Sequence, residues 1–154
     1  MKQIKEYEYV DLGLPSGLKW AKCNVGAEKE TDYGYYFQWG DIVDKSNADC
    51  SWATYKHCNG SERTLTKYCT NGEGGPYGKV DNKTVLDLED DAARVNMGGD
   101  WRMPTSDELE ELWDKTTHSR VDNYNGTGVS GRKFISMTDE TKYIVSPAAG
   151  NYDD

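Results

Sequence analysis

The chain has 154 residues, 36% of them hydrophobic, with 5 Trp and 11 Tyr and a formal net charge of −9. That length suits one domain able to bury a sizeable core. Scattered lysines and arginines under an acidic balance argue against nucleic acid, which needs clustered cations, and no apolar run reaches the roughly 18 residues of a membrane span.

Met1-Lys2-Gln3-Ile4-Lys5 leads into no apolar stretch, so no signal peptide is expected. Further on, two short alternating runs flank Pro15-Ser16-Gly17. Proline pre-sets φ and glycine accepts the left-handed region, so a hairpin is predicted here. Leu18, Trp20 and Lys22 share one face of its second strand and Lys19, Ala21 and Cys23 the other. Tyr33 to Asp41, aromatic and bracketed by Gly34 and Gly40, reads as a strand.

The four cysteines, Cys23, Cys50, Cys58 and Cys69, contain no CxxC pair and give no support to structural zinc. The even count permits two disulfides in any of three connectivities, and crosslinking of Cys50, Cys58 or Cys69 would suit an exported domain; the competing reading of Cys23, on a strand expected to pack on the core, is a buried free thiol. Asn71 to Gly78 reads as a surface loop, as does Asp122 to Gly128. Asp87 to Val95 is predicted as a short helix. In Gly98-Gly99-Asp100-Trp101-Arg102-Met103-Pro104-Thr105-Ser106-Asp107-Glu108-Leu109 a glycine turn runs into a capping box, Thr105 with Glu108. A second helix follows over Ser106–Thr116, with Leu109, Leu112 and Trp113 as its apolar face and His118 at its C-terminal end. Arg102, between Trp101 and Met103, reads as a buried clamp on Asp90 or Asp91.

No constellation of nucleophile and base stands out. Adjacent residues on an extended chain face opposite ways, which disfavours His57 with Cys58 as a dyad, and Cys69 with His118 lacks any supporting motif. A non-enzymatic protein is expected. The candidate ligand-binding residues are the aromatics Tyr35, Tyr36, Trp39, Trp52 and Tyr55, which could stack on sugars or anchor a protein; the competing reading is that they fill the core. The acidic run offers Asp87, Glu89, Asp90 and Asp91 as ligands for calcium, with Asp81 and Asn82 needed to complete a site. It lacks EF-hand spacing, and the simpler reading puts these carboxylates in the first turn of a helix. No other cofactor is indicated. The sequons at Asn59, Asn82 and Asn125 read as coincidental.

The blocks VDLGLPSGLKWAKCNVGA, YGYYFQWGD, YGKVDNKTVLDLEDDAARVNMGGDWRMPTSDELEELW and YIVSPAAG resemble, in this order, the Fibrobacter succinogenes major paralogous domain, abundant in Bacteroidetes proteins. The resemblance spans residues 8–118 and 143–150. It implies a C-type-lectin-like, formylglycine-generating-enzyme-like fold of the α+β class: a twisted antiparallel sheet with two short helices and long loops, as a single domain over 1–154. No cysteine follows Cys69, so the cysteine chemistry of formylglycine-generating enzymes is not implied. Such domains continue past the last block with further strands, which are expected to be absent from this sequence. The implied function is recognition of a carbohydrate or protein on a cell or phage surface, extracellular, with a likeness to the variable proteins of diversity-generating retroelements. The alternative is an assembly module, a homo-oligomer completed by a strand from another subunit.

Overall fold

The computed structural model describes residues 6–47, 49–71 and 77–150. Its elements in chain order are β1 (Tyr9–Asp11), β2 (Lys19–Ala21), a 3-10 turn (Leu88–Asp90), α1 (Ala92–Met97), α2 (Ser106–Asp114), β3 (Thr116–Val121), a second 3-10 turn (Tyr124–Gly126), β4 (Gly131–Ser136) and β5 (Tyr143–Pro147). The class is α+β, with two small antiparallel sheets, β1-β2 and β3-β4-β5, and short helices. No helix among the described residues is long and apolar enough to cross a membrane. The predicted loop at Asn71 to Gly78 falls largely on residues 72–76, and the leader reading on 1–5, outside the described residues.

The chain divides into two compact units. The first, the sheet unit, comprises residues 6–35 and 104–150. Its hairpin is the predicted one: Tyr9 pairs Ala21, Val10 pairs Trp20 and Asp11 pairs Lys19. Gly17 N–H donates to the Leu14 carbonyl at 2.9 Å. The Ser16 amide and hydroxyl both donate to the Glu111 carboxylate, at 2.9 and 2.5 Å, tying the connection to α2. α2 starts with the predicted capping box, Thr105 accepting from Glu108 N–H and the Glu108 carboxylate accepting from Thr105 N–H. Of its predicted apolar face only Leu112 is buried, while Leu109 and Trp113 are half exposed. Leu112 joins Leu12, Leu14, Phe134 and Ile144 in the core, with Val10 and Trp20 packed against it.

The predicted second helix is shorter than expected. It ends at Asp114 because Thr116 already pairs with Ser136 across the sheet and turns its hydroxyl back to the Leu112 carbonyl at 2.6 Å. His118 therefore lies on β3 and not at a helix end. Cys23 is half exposed, not buried, although partial desolvation still raises its thiol pKa. None of the four cysteines is in a disulfide. Asp122 to Gly128 is a loop around the second 3-10 turn, with Asn123 and Asn125 at positive φ.

The second unit, the loop unit, spans residues 36–103 and has little regular structure. The strand expected over Tyr33 to Asp41 does not form. Gly34 and Gly40 take φ of 77° and 76°, left-handed angles that bend an extended chain. Within the loop unit, Asp44 also captures Tyr36 N–H at 3.1 Å, and Asp41 captures Ile42 N–H at 2.8 Å. The helix expected over Asp87 to Val95 splits into the 3-10 turn and α1. Asp91 between them is extended, and its carboxylate caps Arg94 N–H at 2.9 Å while accepting Met103 N–H at 2.8 Å. Arg102 is exposed, not a buried clamp, and donates to its neighbour's carbonyl at Met103.

Candidate functional site

Two loops of the loop unit carry exposed tryptophans. The first closes on itself through Lys45 N–H to the Tyr36 carbonyl at 2.7 Å and a turn from Asp41 N–H to the Gln38 carbonyl at 2.9 Å. Buried Asp41 pairs with Lys45 at 3.4 Å. A hydrogen bond from Ser46 holds the Asp44 carboxyl below its usual range. The turn presents Trp39, 47% exposed. The second loop is braced by the Thr54 hydroxyl, which donates to the Asp49 carbonyl at 2.8 Å, and by the Cys58 thiol, which donates to the Trp52 carbonyl at 3.0 Å. It presents Trp52, 40% exposed. Gln38 Nε2 donates to the Ser51 carbonyl at 3.1 Å and Tyr55 OH to the Trp39 carbonyl at 2.8 Å, so the two loops are tied to each other.

Tyr55 links this surface to a buried polar centre. Its ring meets Trp52 edge-on at 5.9 Å and His57 at 5.8 Å, and His57 in turn meets Tyr68 at 5.1 Å. Burial pushes the Tyr55 phenol up to about 12. His57 Nε2 lies 3.1 Å from the Gly40 carbonyl. A Cβ on Gly40 would come within 2.9 Å of Tyr68 and 3.1 Å of His57, so only glycine fits this approach. Tyr68 itself has φ of 59°, which costs free energy for a bulky residue. The Asp81 carboxylate offsets that cost by accepting the N–H groups of both Tyr68 and Cys69 at 2.9 Å.

Asp90 is the centre of this unit, 4% exposed. Oδ1 accepts from Lys56 Nζ at 2.6 Å; Oδ2 accepts from Lys67 Nζ at 2.5 Å and Tyr68 OH at 2.7 Å. Desolvation alone would raise the Asp90 pKa, but these donors overcome it and hold the carboxyl far below the usual range. Hydrogen bonds to Asp87 and Asp90 push the Lys67 pKa well above that of a free lysine. A buried carboxylate so surrounded is fully paired, which such burial requires.

The predicted ligand residues are partly brought together. The Tyr55 ring meets Trp52 and its hydroxyl reaches the Trp39 backbone, so these three lie on the two tied loops, and Tyr36 anchors the first loop through its backbone. Tyr35 belongs to the sheet unit, where its ring covers Gly26 so closely that a Cβ there would lie 2.4 Å from it. Of the acidic run, Asp87, Glu89 and Asp90 have carboxylate oxygens within 4.8 Å of one another. Lys67 Nζ already sits among them, 2.7 Å from Asp87 and 3.9 Å from Glu89. Asp91 turns to backbone N–H groups of α1 and Met103, and Asp81 to those of Tyr68 and Cys69. The His57 ring and Cys58 thiol bond different partners, Gly40 and Trp52, and form no dyad. Lys56, Lys67 and Tyr68 went unseen in the sequence because no local spacing links them to Asp90.

No protein-family model, curated protein or solved structure matches this chain.

Proposed function

We propose that this chain is a non-catalytic recognition domain of C-type-lectin-like type, binding a carbohydrate or a protein at a cell or phage surface. The observation that carries the reading is the pair of exposed tryptophans, Trp39 and Trp52, on cross-tied loops. An indole lies well against the apolar face of a sugar or in a partner's pocket. Loops fixed before binding lose little entropy on binding. The antiparallel sheets and short helices belong to the α+β class that the resemblance implies. The same reading takes residues 1–154 as one domain of the Fibrobacter-type paralogous family, related to retroelement variable proteins. Recognition is calcium-independent, because the Lys67 ammonium occupies the acidic group that would otherwise attract the ion.

The test is binding of the wild-type chain and of Trp39→Ala/Trp52→Ala to a panel of glycans and bacterial-surface proteins, with calcium and with chelator. Saturable binding that survives chelator and falls by about tenfold or more in the double variant, at unchanged melting temperature, is expected. Absence of binding, or binding indifferent to both substitutions, refutes the reading.

A groove in the sheet unit favours the assembly alternative. Tyr9 of β1 and Tyr143 of β5, with Glu6, Glu8, Lys22 and Glu30 from the segments outside the strands, line an open groove of about 750 Å³. Strand edges of this kind accept a strand from another subunit. Sedimentation should then show concentration-dependent dimers; a monomer at every concentration removes the alternative.

A further inference from the structure

We propose that the sheet unit carries a separate binding site for a carboxylate-bearing sugar, built by Arg132 with Arg120, His118 and Ser146 beside Trp113. The register places Arg120 on β3, Arg132 on β4 and Ser146 on β5 in one row across the sheet. Paired residues share a face, as do residues two apart on one strand. This row therefore continues the face of His118, Phe134 and Ile144, where the apolar core gives way to hydrogen-bond donors.

Two features of the row stand out electrostatically. Arg120 and Arg132 stand directly opposite each other, and like charges in that relation destabilise a sheet. The chain has 27 acidic residues against 18 Lys and Arg, so acidic partners are abundant. Yet among the described residues no carboxylate lies within ion-pair distance of Arg132, whereas Arg63, Arg94 and Arg120 each have one. The Arg120 bond to Asp122, 2.9 Å between exposed groups, is of the weak surface kind.

Arg132 is held ready. Its guanidinium lies over the Trp113 ring, 4.7 Å from the centroid, and donates to His118 Nδ1 at 2.9 Å. A guanidinium only donates, so Nδ1 is the acceptor and the His118 ring proton sits on Nε2. Trp113 packs on His118 at 4.0 Å and on Phe134 at 6.2 Å, which fixes the stack. The fork keeps donors to spare in a fixed plane, and a planar carboxylate accepts two of them side by side. Ser146 is exposed in the same row, and Trp113, 49% exposed, offers apolar surface to a ring attached to the carboxylate. A net charge of −9 favours a monoanion over a phosphate dianion.

The test follows the side-chain N–H signals of Arg132 and Trp113 in nitrogen-15 spectra of the full chain during titration with glucuronate, glucose and acetate. Glucuronate should shift both signals saturably, acetate should act at least about tenfold more weakly, and glucose not at all. Arg132→Gln should weaken glucuronate binding by about tenfold or more, with Arg132→Lys between it and wild type because the charge remains and the fork is lost. Arg120→Gln, at an exposed position, should weaken it by a smaller factor without altering the melting temperature. Trp39→Ala/Trp52→Ala should leave the titration unchanged, which separates this site from the tryptophan loops. No shift, an equal response to glucose or acetate, or full affinity in both Arg132→Lys and Arg120→Gln would overturn the proposal.

Discussion

The two units are stabilised by different physics. The sheet unit buries Leu12, Leu14, Leu112, Phe134 and Ile144 against one another. The loop unit centres on a carboxylate, Asp90, surrounded by Lys56, Lys67, His57 and Tyr68. Apolar burial is non-directional and indifferent to pH. A buried ion network holds only while every member keeps its charge and its partner. The loop unit has almost no ladder to fix its chain, and directional bonds to Asp41, Asp44, Asp81 and Asp90 take over that task. The lesson is that a chain poor in long apolar side chains can still hold irregular loops rigid, at the cost of sensitivity to charge.

That contrast is open to direct attack, and the largest expected effect is on its apolar side. Leu112→Ala should cost about 3 kcal/mol, a core truncation leaving a cavity. Hydrogen exchange should show the loss concentrated in residues 6–35 and 104–150. An equal loss in 36–103 would break the contrast. Next is Asp90→Asn, expected to cost about 2 kcal/mol, less than for a fully enclosed pair because both lysines reach solvent. Urea unfolding followed by loop-unit probes would measure it.

The pH dependence sharpens the same point. The folded Asp90 pKa is depressed, so its contribution is complete above about pH 4, the unfolded value, and is lost as pH falls toward the folded one. The folded Lys67 pKa is raised, so its contribution is complete below about pH 10.4 and is lost as pH rises through the folded value. The loop unit should therefore lose protection in acid before the sheet unit, whose depressed carboxylates, Glu8 and Asp139, are surface groups. Asp90→Asn should abolish most of that difference. Simultaneous acid loss in both units would refute the assignment of stability to Asp90.

Gly40→Ala tests the close approach to His57 and Tyr68. With φ of 76° and a Cβ meeting Tyr68 at 2.9 Å, it should cost roughly 1.5 kcal/mol. Near-ultraviolet circular dichroism should change with it, since the aromatic contacts must give way. The smallest effect is expected for Thr105→Ala, which removes half of the α2 capping box at about 1 kcal/mol. Thermal melting would detect it, and Thr105→Ser should restore most of the loss.

The sequence showed the features whose cause is local. The Pro15-Ser16-Gly17 turn and the Thr105 to Glu108 box each act within a few residues, and both form where expected. Trp39, Trp52 and Tyr55 were visible as aromatic surface candidates, but not that Gln38 and Tyr55 would tie their loops together. β3 and β4 were missed because Thr-Thr-His-Ser-Arg-Val and Gly-Arg-Lys-Phe-Ile-Ser alternate too weakly, with charges on the face that packs. The aromatic run Tyr33 to Asp41 misled in the opposite way, its composition favouring a strand that left-handed Gly34 and Gly40 forbid.

By itself, then, the amino-acid order determined turn, cap and charge balance, since these depend on groups adjacent along the chain. Tertiary structure alone decided that Asp90 meets Lys56 and Lys67, that Asp91 serves backbone donors instead, and that Arg132 lies on Trp113 with no carboxylate partner among the described residues. Those outcomes turn on which distant donors the folded chain brings within about 3 Å of a charge. Desolvation then makes each such choice decisive, because a buried charge must find its partner or be neutralised.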